Sequence, residues 1–217
     1  MNARKRAAVL ISGRGSNLQA LMDAAQDSAF PAEIALVLSN VDGAQGLARA
    51  TAAGVPVKTI PHRSYSSREA FDAAVGGALL EGGIDLVCLA GFMRILSDGF
   101  VKAWEGRIIN IHPSLLPAFK GIDVHRRVLE AGVRITGCTV HFVVPELDSG
   151  PIIAQAAVPV AYGDTEVSVA ARTLEAEHRL YPFALKLLAE GRVTLAGGRA
   201  RFAGAAPSSG TLFSPAP

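Results

Sequence analysis

A chain of 217 residues, half of them hydrophobic and 18% charged, carries enough apolar material for one sizeable α/β domain with at most a small appendage, which excludes general disorder. Its formal net charge of +2 gives no field that would gather nucleic acid or an acidic membrane, and no run approaches the roughly 20 apolar residues of a membrane-spanning helix. Cys88 and Cys138 both lie in apolar runs, the setting of reduced core residues. The basic start Arg4-Lys5-Arg6 leads into an apolar run too short for a signal peptide, so a cytoplasmic protein is expected.

Ala7–Ile11 is an unbroken apolar run, a central strand by pattern. It enters Ser12-Gly13-Arg14-Gly15-Ser16-Asn17, after which Leu18, Leu21, Met22 and Ala25 recur at helical spacing. Ser16 and Gln19 have capping-box form, placing the helix start near Ser16. Strand, glycine turn and helix N-terminus together make an anion cradle, although the same residues suit a plain tight turn. The third glycine of a dinucleotide fingerprint would fall at Leu18, and no P-loop lysine follows. Strands are expected over 33–39 and 55–60, with a short helix over 43–53 between them: a β-α-β-α-β start that implies parallel strands. His62, Arg63 and Arg68 surround a serine-rich loop, and the Ser66/Glu69 pair starts a helix to about Glu81. Arg68 then lies in the first turn, unfavourable for a cation unless it serves a ligand carboxylate; a solvated arginine fits equally.

Asp85–Gly91 reads as another central strand, emptying into Phe92-Met93-Arg94-Ile95-Leu96, an apolar loop with one arginine. Such a loop can line a pocket for a flat ligand or simply cap the core. After a short helix from Ser97 to Trp104 comes Arg107–Pro117. Here Ile109 and Ile111 alternate with Asn110 and His112, and Pro113 stops the strand. Two polar groups at a strand's carboxyl end stand where ligands bind in open α/β sheets; they could also satisfy loop backbone. A loop over 118–122 precedes a helix from about Val124 to Ala131 capped by Asp123. Runs 136–144 and 152–160, joined by the loop 145–151, read as antiparallel strands with Thr139 and His141 on one face. A helix capped by Asp164 and Thr165 reaches about Glu190, with a kink or break at Pro182. A small hairpin surrounds Gly197-Gly198. No internal repeats are visible.

Chemically, three groups stand out: the Gly13–Asn17 cradle, the Asn110/His112 pair and the loop carboxylate Asp148. Asparagine is a usual donor to an oxyanion formed at a carbonyl carbon, and histidine moves a proton near neutral pH. A nearby carboxylate orients an imidazole and favours its charged form. No serine elbow supplies a nucleophile, and the five histidines lack metal-ligand spacing, so no metal is expected. Acyl transfer without a covalent enzyme intermediate is what remains.

On these residues the chain resembles the phosphoribosylglycinamide formyltransferases, a folate-dependent family of purine synthesis. The matching segments are SGRGSNLQAL from Ser12, LAGFMRIL at 89–96, INIHPSLLP at 109–117, TVHF at 139–142, ELDSGPII at 146–153 and EHRLYP at 177–182. They run in order along nearly the whole chain before its end. The resemblance implies a Rossmann-like α/β domain with a mostly parallel twisted sheet, helices on both faces and antiparallel strands in the C-terminal half. It implies transfer of the formyl group of 10-formyltetrahydrofolate to the amine of phosphoribosylglycinamide. Gly15, Ser16 and Asn17 would hold the substrate phosphate and Glu177 would touch the substrate. Asn110, His112 and Asp148 would form the catalytic trio, with His112 as general acid. Met93, Arg94, Ile95 and Leu96, with the backbone of 145–148, would line the folate pocket, with Arg68 near the folate carboxylates and His141 close to the site. Lys120 receives no role.

Residues 1–203 are thus expected to form the formyltransferase domain, with a phosphate-binding half to about 105 and a catalytic half from about 106, followed by a flexible tail at 204–217. Partners are expected to be small molecules, with no nucleic acid, and the protein a monomer or homodimer. A 10-formyltetrahydrofolate hydrolase shares the chemistry but carries a further N-terminal domain, and a methionyl-tRNA formyltransferase adds a C-terminal tRNA-binding domain. A non-catalytic nucleotide-binding module would need only the glycine turn.

Overall fold

In the computed structural model, which describes residues 3–204 and Ser214, the first apolar run forms β1 (Lys5–Ile11), an interior strand of a seven-stranded sheet. Its side chains divide by the period of a strand. Ala7, Val9 and Ile11 enter one core; Ala8 and Leu10 enter the core on the other face. A strand buried on both faces must be apolar at every position, which is why the run is unbroken.

The glycine turn leads to α1 (Ser16–Ala25), then β2 (Ala32–Ser39), α2 (Gln45–Ala52) and β3 (Val57–Thr59). A single 3₁₀ turn at His62–Ser64 precedes α3 (Arg68–Glu81), β4 (Leu86–Leu89), α4 (Asp98–Ala103) and β5 (Ile108–His112). The C-terminal half adds α5 (Val124–Glu130), β6 (Ile135–Phe142), β7 (Ile152–Pro159) and α6 (Glu166–Ala189), then the hairpin β8 (Val193–Ala196) and β9 (Arg199–Phe202). Strand order is β3-β2-β1-β4-β5-β6-β7. The pairs from β3 to β5 are parallel; β6 is antiparallel to both β5 and β7. Helices cover both faces: Leu18 and Leu21 of α1 and Leu185 of α6 pack on one, Phe71 and Val75 of α3 and Phe100 of α4 on the other.

The chain leaves β1 toward β2 and β3 and returns to β4 on β1's other side, so the β1/β4 boundary is the sheet's switch point. Tyr181 of α6, fully buried, donates its hydroxyl proton between the carbonyls of Leu89 (2.9 Å) and Ile109 (3.2 Å), tying the helix to β4 and β5.

Three local expectations change. Gly15, not Ser16, occupies the N-cap of α1, at φ +72°, and no side chain caps the helix. Ser67, not Ser66, caps α3 by accepting the Ala70 N–H. Asp123 does occupy the N-cap of α5, at φ +55°, but its side chain makes no capping bond, the carboxylate instead receiving Arg126 Nη2 at 2.6 Å. Pro182 lies within α6, which continues to Ala189. The expected tail falls outside the described residues except at Gly204 and Ser214.

Candidate active site

Period-2 geometry turns Asn110 and His112 to one face of β5. Antiparallel pairing sets them opposite His141 and Thr139 of β6. Thr139 supports the turn after β5, donating to the Ser114 carbonyl (2.7 Å) and accepting the Leu116 N–H (3.0 Å). Above this floor opens a cleft of about 730 Å³, walled by residues 91–96, by the 143–148 loop and by the start of α5.

His112 is 5% exposed. Its Nε2 donates to the Phe119 carbonyl at 2.9 Å, and its Nδ1 lies 3.4 Å from Asp148 Oδ2. A carbonyl only accepts, so the Nε2 proton is fixed and Nδ1 is the position that exchanges a proton. Asp148, equally buried, receives the Gly121 N–H at 2.8 Å from φ +49°, a left-handed conformation that Asp tolerates better than most residues. Its other oxygen lies 3.9 Å from His141 Nε2. His141 Nδ1 donates to the Phe142 carbonyl (2.8 Å), which leaves Nε2 with a lone pair to accept Asn110 Nδ2 at 3.2 Å. Burial pushes the His141 pKa down, against the Phe142 carbonyl and the Asp148 carboxylate, which pull it up; the nearby His112 adds to the depression. A neutral His141 is what this acceptor role requires. With one Asn110 N–H thus held, the other is free for the cleft.

All three members of the expected catalytic trio therefore meet in the cleft. Met93, Arg94, Ile95 and Leu96 line it too, Leu96 buried and the other three exposed. Gly15, Ser16 and Asn17 begin α1 beyond β1, where the first-turn N–H groups have no helical partner. A Cβ on Gly15 would sit 2.7 Å from the Gly46 Cα, so close approach of the α1 and α2 starts needs glycine there. Asn17 Nδ2 donates to Glu177 Oε2 at 2.7 Å, while burial pushes Glu177 upward and this bond pulls it down. The cradle and Glu177 lie outside the cleft lining. So does Arg68, the exposed first residue of α3. Sequence reasoning missed the Phe119 carbonyl and Gly121 amide. Their only signal was Gly121 itself, at φ +83°. Among the described residues, no group of three or more His, Cys, Asp or Glu is arranged to hold a metal ion.

The sequence and the fold have known counterparts. The formyl transferase family model matches residues 5–185, the whole sheet and most of α6. The chain belongs to the formyl transferase family. Among formyl transferases, it is 46% identical over 187 residues to the phosphoribosylglycinamide formyltransferase of Escherichia coli, covering 86% of this chain and 88% of that one. The trifunctional purine biosynthetic protein adenosine-3 of Gallus gallus is 58% identical over 186 residues, 86% of this chain but 18% of that protein. The chain thus spans less than a fifth of this trifunctional relative's length. The crystal structure of glycinamide ribonucleotide transformylase 1 from Symbiobacterium toebii superposes with a TM-score of 0.90 at 49% identity, covering 93% of this chain and 95% of that one.

Proposed function

We propose that this enzyme transfers the formyl group of 10-formyltetrahydrofolate to the amine of phosphoribosylglycinamide, giving formylglycinamide ribonucleotide and tetrahydrofolate. The observation that carries the reading is Asn110, His112 and Asp148 converging on one apolar-walled cleft, with no serine or cysteine among the described residues that line it. The likeness to formyltransferases over most of the chain supports the same substrates. A cleft of about 730 Å³ falls within the roughly 300–1,000 Å³ of small-molecule sites. Met93, Ile95 and Leu96 offer apolar contact to a folate, and Arg94 a cation at its rim. Gly15, Ser16 and Asn17 hold the phosphate of the ribonucleotide, and Glu177, through Asn17, braces that end. Arg68 serves the folate carboxylates. Residues 1–203 form the catalytic domain, its phosphate-binding half reaching to about residue 105.

In the reaction the substrate amine attacks the formyl carbon and the carbonyl electron pair moves to oxygen. The free N–H of Asn110 and the imidazolium of His112 stabilise that oxyanion. On collapse the bond to folate N10 breaks. N10 takes a proton from His112, and the amine gives one up, so the charge balances. Asp148 faces His112 Nδ1 and stabilises the imidazolium between these transfers. The protein acts in the cytoplasm on small molecules. The test is His112→Ala with both substrates: folate and ribonucleotide binding should persist while formylated product, read by mass spectrometry, disappears. Undiminished product would contradict the assignment.

A further inference from the structure

Ser12 ends the β1 side of the switch point and has no part in the chemistry above. Its N–H donates to the Gly91 carbonyl at 3.1 Å, and its Oγ accepts the Met93 N–H at 2.7 Å. One residue thus grips both ends of the tripeptide that opens the cleft wall. A hydroxyl has a single proton, and Ser12 donates it to Asn40 Oδ1 at 2.6 Å, which turns a lone pair toward Met93. Asn40, just beyond β2, is 1% exposed. Its carbonyl receives the His62 N–H at 3.2 Å and lies 3.0 Å from His62 Nδ1. A hydrogen-bonded row therefore crosses the carboxyl ends of β3, β2, β1 and β4 and finishes on the backbone of a cleft residue.

The wall needs such a fastening. Phe92 and Leu96 are buried, but between them Met93 is 72% exposed and Ile95 56%, so the middle of the segment is not seated by burial. At its far end Ser97 N–H is held by Asp72 Oδ2 at 2.6 Å. At its near end Phe92 stacks on Phe71, with ring centroids 6.4 Å apart, and among the described residues the side-chain polar hold there is Ser12.

We infer that Ser12 and Asn40 are positioning residues for the folate substrate: Asn40 orients the Ser12 hydroxyl, and Ser12 sets the height of residues 93–96 in the cleft. This rests on reading the cleft as the folate site. Because Gly13 follows directly, one turn serves both the phosphate cradle and the folate wall, but only the Ser12 side chain addresses the wall.

Ser12→Ala is the smallest change that deletes the Met93 acceptor; Asn40→Ala deletes its orienting partner, and Asn40→Asp retains the accepting oxygen. A lost hydrogen bond of ordinary strength predicts a roughly 10-fold rise in KM for 10-formyltetrahydrofolate in Ser12→Ala and Asn40→Ala. The same rise is expected in the dissociation constant of a folate analogue that cannot give up its formyl group. The kcat and the KM for phosphoribosylglycinamide should stay within about 3-fold, and Asn40→Asp should recover much of the folate affinity. Amide hydrogen exchange at Met93 should quicken in Ser12→Ala even if turnover is lost. Unchanged analogue affinity in folded Ser12→Ala, or equal losses in kcat and both KM values with no rescue by Asn40→Asp, would overturn the inference. Failure of the wild-type protein to bind the analogue would instead overturn the reading of the cleft.

Discussion

Asp148 sits at φ +49° with its carboxylate between two imidazoles. Asn adopts the same left-handed conformation readily, so Asp148→Asn removes the charge without disturbing the turn. Turnover should fall by at least about 100-fold, the range of a lost acid–base partner, with melting temperature nearly unchanged. Steady-state kinetics beside a melting curve check both. Asn110→Ala should lower kcat by about 100- to 1,000-fold, as for loss of one oxyanion donor, with smaller effects on either KM. That Asn110 and His112 share one face at a strand end was legible, because they break an otherwise apolar strand. The groups that orient them were not. Phe119 and Gly121 act through a carbonyl and an amide that every non-proline residue carries. Lys120 gains a structural contact, 2.5 Å to Ser149 Oγ, that its place in the sequence did not announce.

Among elements, long apolar runs and helical periodicity located the strands and the major helices, but caps depended on details the pattern lacks. Ser16 has the right partner in Gln19. Gly15 takes the cap position instead, because only a residue free to turn left-handed lets α1 start against Gly46. Gly15→Ala therefore incurs about 1–2 kcal/mol for the backbone alone, plus the clash with Gly46. At about 2–4 °C per kcal/mol for a chain of this size, calorimetry should register a fall of several degrees, together with weaker binding of the phosphate-bearing substrate. Arg68 marks the other limit: its place at the start of α3 was read from the sequence, yet whether it meets a ligand depends on a surface outside the cleft lining.

For the whole molecule, stability has a definite pH signature. Burial lowers the pKa values of His141, His125 and His178 below their ordinary 6.5. The unfolded chain then takes up protons at these positions before the folded one. Their stabilisation is full above about pH 6.5 and is lost as pH falls from there toward the lowered values. Glu177, pushed upward by burial, has the opposite slope: its contribution is full below its ordinary 4.5 and lost as pH rises through its folded value. Melting temperature should therefore drop as pH is lowered from 7.5 through the histidine window. In His178→Gln, away from the cleft, the drop should be shallower; an unchanged slope would remove His178 from the account. The sheet itself follows from its two-sided apolar strands, and the antiparallel turn at β6 brings His141 to Asn110. That pairing sets two polar side chains side by side at one strand end, in the lining of the cleft. The most direct measurement is the absorbance of tetrahydrofolate formed from a 10-formylfolate with and without phosphoribosylglycinamide. Product that appears only when the amine is present is the predicted result. Equal turnover in water alone would contradict transfer and make the enzyme a hydrolase.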